Sequence, residues 1–127
     1  MLQPGLKGKS VCTVERKDTA AEVGSGLLLV FSTPSMIAMM EQAACDAIAP
    51  ELEEGMTSVG TKIEITHDAA TPVGMEVTAE ATLTAVDGRH LYFAVEASDE
   101  RGPIGKGVHE RFLVNAERFL NKTYDKL

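Results

Sequence analysis

Hydrophobic and polar residues alternate with a period of two through the C-terminal half of the chain. That alternation predicts four strands joined by tight turns. From Thr57 to His67 the odd positions are Val59, Thr61, Ile63, Ile65 and His67, which puts His67 on the same expected face as Ile63 and Ile65. After Thr71-Pro72-Val73-Gly74, residues Met75, Val77, Ala79, Ala81, Leu83 and Ala85 alternate with polar neighbours as a regular half-buried strand. Asp87-Gly88 reads as a two-residue hairpin turn, and Leu91, Phe93, Val95 and Ala97 carry the return strand. Ile104, Val108, Phe112 and Val114 mark a last strand interrupted by Gly105 and Gly107, followed by a polar helical tail from Ala116 to Leu127.

The N-terminal half has a different period. Residues 1–8 read as a Gly- and Pro-punctuated arm, Lys9 to Arg16 as a strand and Thr19 to Val23 as a second one. Gly24-Ser25-Gly26 breaks the pattern, and the apolar run Leu27–Phe31 is too short to tell strand from short helix or lid. Thr33-Pro34 is a helix start, with Thr able to cap and Pro preorganised in the first turn, and the helix should end before Pro50. Rich in Ala, Met and Ile, this helix is expected to be buried on most sides. At about 100° per residue, Glu41 shares an arc with Ile37, Ala44, Cys45 and Ile48, opposite Ser35, Gln42 and Asp46. A helix followed by a run of antiparallel strands is the α+β class, with the helix on one sheet face.

Composition adds limits. With 127 residues, 44% of them hydrophobic, and no repeat, linker or low-complexity tract, one domain spanning 1–127 is expected. A net charge of −7 argues against nucleic acid or an anionic membrane as the principal partner. Cys12 and Cys45 fit no metal-ligand spacing and read as reduced core residues. The start lacks the pattern of a signal peptide, and no apolar run approaches the roughly 20 residues of a membrane span, so a soluble cytoplasmic protein is expected.

Two independent periods thus deliver ionisable residues to the core side, Glu41 by helical phase and His67 by strand alternation. If the sheet wraps the helix they can meet, and a carboxylate–imidazole set can serve as general base, nucleophile or orienting pair. Thr33, about two turns before Glu41, adds a hydroxyl at a helix N-terminus that favours developing negative charge. Each residue also has a plainer role open to it. Thr33 can be an N-cap, Glu41 a subunit contact, His67 a half-exposed histidine, and Gly60 a bulge or packing concession. For His109, Glu110 and Arg111, which alternate faces, a structural ion pair is expected. There is no phosphate-cradling glycine loop, serine elbow or metal-ligand motif.

The ordered pieces Val30-Phe31-Ser32-Thr33, Glu41, Ala49–Gly55, Val59-Gly60-Thr61, Thr66–Pro72, Val86–Arg89 and Gly107–Arg111 resemble the hotdog-fold thioesterases, within them the fluoroacetyl-CoA thioesterase-like group. The resemblance implies a sheet wrapped around a long helix and a homodimer with active sites at the subunit interface, the pairing of two such dimers into a tetramer being left open. It also implies cofactor-free hydrolysis of an acyl-CoA. On it Thr33, Glu41 and His67 are the catalytic set, with Glu41 as nucleophile or as base for water, His67 as its proton partner and Thr33 orienting the carboxylate or the thioester carbonyl. Gly60 supplies a backbone N–H, and Phe31 and Leu27 are further substrate contacts. In one place the chain departs from the group: the segment ahead of the threonine is Gly24-Ser25-Gly26-Leu27-Leu28, where the fluoroacetyl-specific enzyme carries aromatic and proline residues. The acyl group is therefore open to short, medium or aryl acyl-CoAs. A hotdog enoyl-CoA hydratase and a non-catalytic dimer that binds CoA or a small acid are the alternatives.

Overall fold

The computed structural model describes residues 1–127. Strands β1 (Lys7–Thr13), β2 (Met56–His67), β3 (Glu76–Asp87), β4 (His90–Asp99) and β5 (Gly102–Asn115) form one antiparallel sheet in the order β1-β3-β4-β5-β2. Helix α1 (Ala20–Val23) is a single turn, α2 (Thr33–Ile48) is the long helix, and α3 (Ala116–Tyr124) follows β5. Helix α2 packs chiefly on β1 and β3, and much less on β4 and β2. The core is the inner face of β3 and β4 (Val77, Ala79, Ala81, Leu83, Leu91, Phe93, Val95, Ala97) against Met36, Met39, Met40, Ala43, Ala44, Ala47 and Ile48 of the helix. Burying a side chain such as Phe93, 1% exposed, stabilises by roughly 1.5–3 kcal/mol. The small helix residues matter as much, because a Cβ on Gly8 would overlap the Ala43 carbonyl and the Ala47 amide, so β1 crosses against helix backbone.

The predicted strands from Thr57 onward are present, but bulges shift their phase. The register of β2 on β5 slips between Gly60 and Lys62. Ser58 and Gly60 therefore face inward before the bulge, and Ile63, Ile65 and His67 after it; Val59, expected on their face, pairs with Phe112 on the outer side. A second slip at Leu83/Ala85 exposes Ala85. On β5 the inner face is Gly105, Gly107, His109 and Arg111, while Val108 and Phe112, expected inside, are 47% and 39% exposed. The β3–β4 turn is Gly88-Arg89, with Asp87 still paired to His90.

The N-terminal expectations needed more revision. Lys9–Arg16 becomes Lys7–Thr13, and the arm ahead of it is hydrogen-bonded along β3, Gly5 N–H to the Leu83 carbonyl and Leu83 N–H to that of Leu6. Thr19–Val23 is not a strand: the Thr19 hydroxyl caps the single helical turn α1 by accepting from Glu22 N–H. Leu27, Leu28 and Leu29 form neither strand nor helix and are 94%, 68% and 51% exposed. Cys45 is exposed rather than in the core, on the open side of α2 with Ala38 and Asp46. Cys12 is half-buried, its thiol 3.4 Å from Met39 Sδ.

Candidate active site

Helix α2 begins one residue earlier in function than its threonine suggested. Ser32, 1% exposed, is the N-cap, its hydroxyl accepting from Ser35 N–H and donating to Ser35 Oγ at 2.7 Å. Because Ser32 does the capping, the Thr33 hydroxyl is free to project from the first turn, and it lies 2.8 Å from His67 Nδ1 at the end of β2. Phe31 packs edge-on to the imidazole, with ring centroids 6.4 Å apart. The other ring nitrogen, Nε2, is buried and has no protein partner. Burial lowers the His67 pKa below the ordinary histidine value, against the raising influence of Asp68 and the Ala69 backbone. These residues line an open cleft of about 270 Å³ together with Val30, Ala69 and Ala70.

Glu41 lies at a second centre. Its Oε2 accepts from Arg111 Nη1 at 3.3 Å, and the guanidinium is in turn gripped by Ser58, Nε donating to Oγ at 2.8 Å and Nη2 to the carbonyl at 3.1 Å. Arg111 Nη1 also donates to His109 Nε2 at 3.1 Å, while His109 Nδ1 donates to the Lys62 carbonyl at 2.7 Å. His109 is 1% exposed and Arg111 6%, whereas 42% of the Glu41 side chain is exposed. Burial lowers the His109 pKa; the Lys62 carbonyl opposes this, and the Arg111 charge adds to it. Gly60 is what lets the carboxylate in. A Cβ there would stand 2.6 Å from Glu41 Oε2 and 3.3 Å from both Arg111 Nη1 and His109 Cε1.

Thr33 and His67 therefore meet, Glu41 and Gly60 meet, and within one chain the two pairs stay apart. Eight helical residues from Thr33 to Glu41 span about 12 Å at 1.5 Å per residue. Glu41 hydrogen-bonds to Arg111 and not to His67 or Thr33, so the expected Glu41–His67 contact does not form within the chain. Phe31, 2% exposed, lines the cleft; Leu27, 94% exposed, is not among its lining residues. The ion pair expected among His109, Glu110 and Arg111 is divided between faces: Arg111 turns inward to Glu41, and Glu110 turns outward to His90 and Lys62. The apolar even positions of β5 drew the inner face to themselves and hid His109 and Arg111. The usable signal was Gly105 and Gly107 at the same parity as His109 and Arg111, since Met36 Cε lies 2.8 Å from where a Cβ on Gly105 would be. No group of three or more His, Cys, Asp or Glu side chains is assembled to hold a metal ion.

A long helix laid on a five-stranded antiparallel sheet is the architecture of the hotdog fold. A hot-dog-like protein from Thermanaerovibrio acidaminovorans superposes with a TM-score of 0.87 at 26% identity, over 98% of this chain and 92% of that one. The fluoroacetyl-CoA thioesterase FlK superposes with a TM-score of 0.94 at 36% identity, over 100% of this chain and 98% of that one. The chain belongs to the fluoroacetyl-CoA-specific thioesterase family, whose profile matches residues 14–117. The fluoroacetyl-CoA thioesterase of Streptantibioticus cattleyicolor is 46% identical over 97 residues, 76% of this chain and 70% of that protein.

Proposed function

We propose that this thioesterase hydrolyses short acyl-CoAs, fluoroacetyl-CoA among them, to the free acid and CoA, without a cofactor and in the cytoplasm. We further propose that it works as a homodimer in which each active site joins Thr33 and His67 of one protomer to Glu41 of its partner. The observation that carries the chemistry is the 2.8 Å contact between Thr33 Oγ1 and His67 Nδ1 at the mouth of the cleft. It leaves Nε2 of a histidine kept neutral by burial to exchange a proton with the thioester or the departing thiolate. Glu41 supplies the carboxylate for attack on the carbonyl or for activation of water, the Gly60 N–H holds the acyl group, and the N-terminus of α2 favours the developing oxyanion. The modest volume of the cleft and the similarity to a fluoroacetyl-CoA thioesterase favour a short acyl group. Leu27, exposed in the Gly24–Leu28 stretch, is the contact proposed to broaden acyl choice.

The sharing of the site is supported by the separation of about 12 Å along α2. It is also supported by an open stripe on that helix, where Ala38 and Cys45 are exposed and Ile37 half-exposed beside Glu41, next to the free edge of β2. No helix is long and apolar enough to cross a membrane.

Thiol release from a panel of acyl-CoAs tests the reaction, with turnover expected on acetyl- and fluoroacetyl-CoA and lost in Glu41→Ala and His67→Ala. Mixing unfolded Thr33→Ala and Glu41→Ala chains and refolding them together tests the sharing. Random pairing makes half the dimers mixed, each with one intact site of two, so about a quarter of wild-type activity should return. No recovery places all three residues of a site in one chain.

A further inference from the structure

The buried pair His109–Arg111 is not accounted for by the Thr33, Glu41 and His67 chemistry, yet it is built around the carboxylate. The chain of contacts begins at the β2 bulge. Where the register slips between Gly60 and Lys62, the Lys62 carbonyl is turned to accept from His109 Nδ1 at 2.7 Å. A proton on Nδ1 leaves a lone pair on Nε2, and that nitrogen lies 3.1 Å from Arg111 Nη1 as an acceptor. The Nη1 group carries two hydrogens fixed in the guanidinium plane, so directing one at His109 directs the other along the line to Glu41 Oε2 at 3.3 Å. Ser58 holds the far side of the same plane through Nε and Nη2. An acidic residue in place of His109 would compete with Glu41 for the guanidinium; a neutral imidazole orients it and leaves its charge facing the carboxylate.

We propose that His109 is a positioning residue for Glu41, acting through Arg111 to set the direction of the carboxylate. The proposal rests on Glu41 being the catalytic carboxylate. It makes the β2 bulge, rather than helix α2, the origin of that carboxylate's aim, and it requires the Nδ1–H tautomer of His109 in the resting enzyme.

The first measurement uses the unaltered protein: imidazole nitrogen shifts of His109 by NMR at neutral pH. The proposal expects an unprotonated Nε2 and a protonated Nδ1, and a protonated Nε2 overturns it. The second compares His109→Phe, which keeps ring volume beside Phe93 and removes both hydrogen bonds, with His109→Gln, whose amide oxygen can still accept from Arg111. A displacement of the order of 1 Å at a reacting group costs up to about 100-fold, so His109→Phe should lower kcat roughly 10- to 100-fold with KM changed less than about twofold, and His109→Gln should recover most of the loss. Unchanged kcat per folded molecule, or a His109→Gln variant as slow as His109→Phe, overturns the proposal. If His109→Phe does not fold, the tautomer and the kcat of His109→Gln decide alone. Glu41→Ala separates the two levels of inference. Full turnover in Glu41→Ala removes the catalytic role of Glu41 itself; loss of turnover there with a wild-type His109→Phe removes only the role of His109.

Discussion

Replacing Gly60 by alanine should disable the site while leaving the fold intact. The added Cβ would stand 2.6 Å from Glu41 Oε2, and bringing that contact out to the 3.4 Å of ordinary van der Waals approach moves the carboxylate by roughly 0.8 Å. The atom that must yield is the far end of a flexible side chain with 42% exposure, so the global stability should fall by no more than about 1 kcal/mol. The same displacement at a reacting group is worth tens-fold in rate, so kcat for thiol release should drop about 10- to 100-fold, with KM little changed. Gly8→Ala is the matching control, because there the new Cβ would run into the backbone of α2 at Ala43 and Ala47, which cannot step aside. It should cost several kcal/mol, of the order of a large core defect, and show in thermal melting before any kinetic effect is read. Wild-type kcat in a folded Gly60→Ala protein would refute the argument that the aim of Glu41 governs turnover. Equal loss of stability in the two variants would refute the contrast between side-chain and backbone neighbours.

Ser32→Ala removes the N-cap of α2 and should destabilise by about 0.5–2 kcal/mol; the freed Ser35 N–H also competes for the Thr33 hydroxyl, so kcat should fall beyond what the melting shift explains. Stability should fall as pH drops from 7 toward 5, measured by denaturant midpoints. Burial holds His67 and His109 below the ordinary value of 6.5, so the unfolded chain binds their protons more readily; their contribution is complete above about pH 6.5 and is lost as pH falls. His109→Phe should flatten that slope, and a slope unchanged by it would show that His109 does not titrate differently on unfolding. Below that range Asp99 adds an acid-side loss. Burial raises its pKa, but the Thr71 hydroxyl and the Arg101 and Gly102 amides outweigh burial, so its contribution is present above 3.8 and disappears as pH falls through its lowered folded value.

The sequence by itself determined the strands from β2 to β5, the span of α2 and the inward phase of His67, because each depends on a local period that a single chain segment carries. Through an ordered set of short motifs it also carried the resemblance to the family to which the chain belongs. Three things depended on the tertiary structure. The bulge at Gly60/Lys62 reversed which residues face inward in the first part of β2, putting Ser58 and Gly60 there instead of Val59, and a one-residue slip leaves no mark in composition. The inward turn of His109 and Arg111 was set by register against β2 and hidden by the apolar residues on the opposite face of β5. The separation of Thr33–His67 from Glu41 came from the packing of α2 over β1 and β3, which leaves the carboxylate half-open at the β2 side of the sheet. Periodicity fixes the side of an element on which a residue lies; which residue lies opposite is decided by how far the elements slide and cross, and that is a property of packing between distant segments.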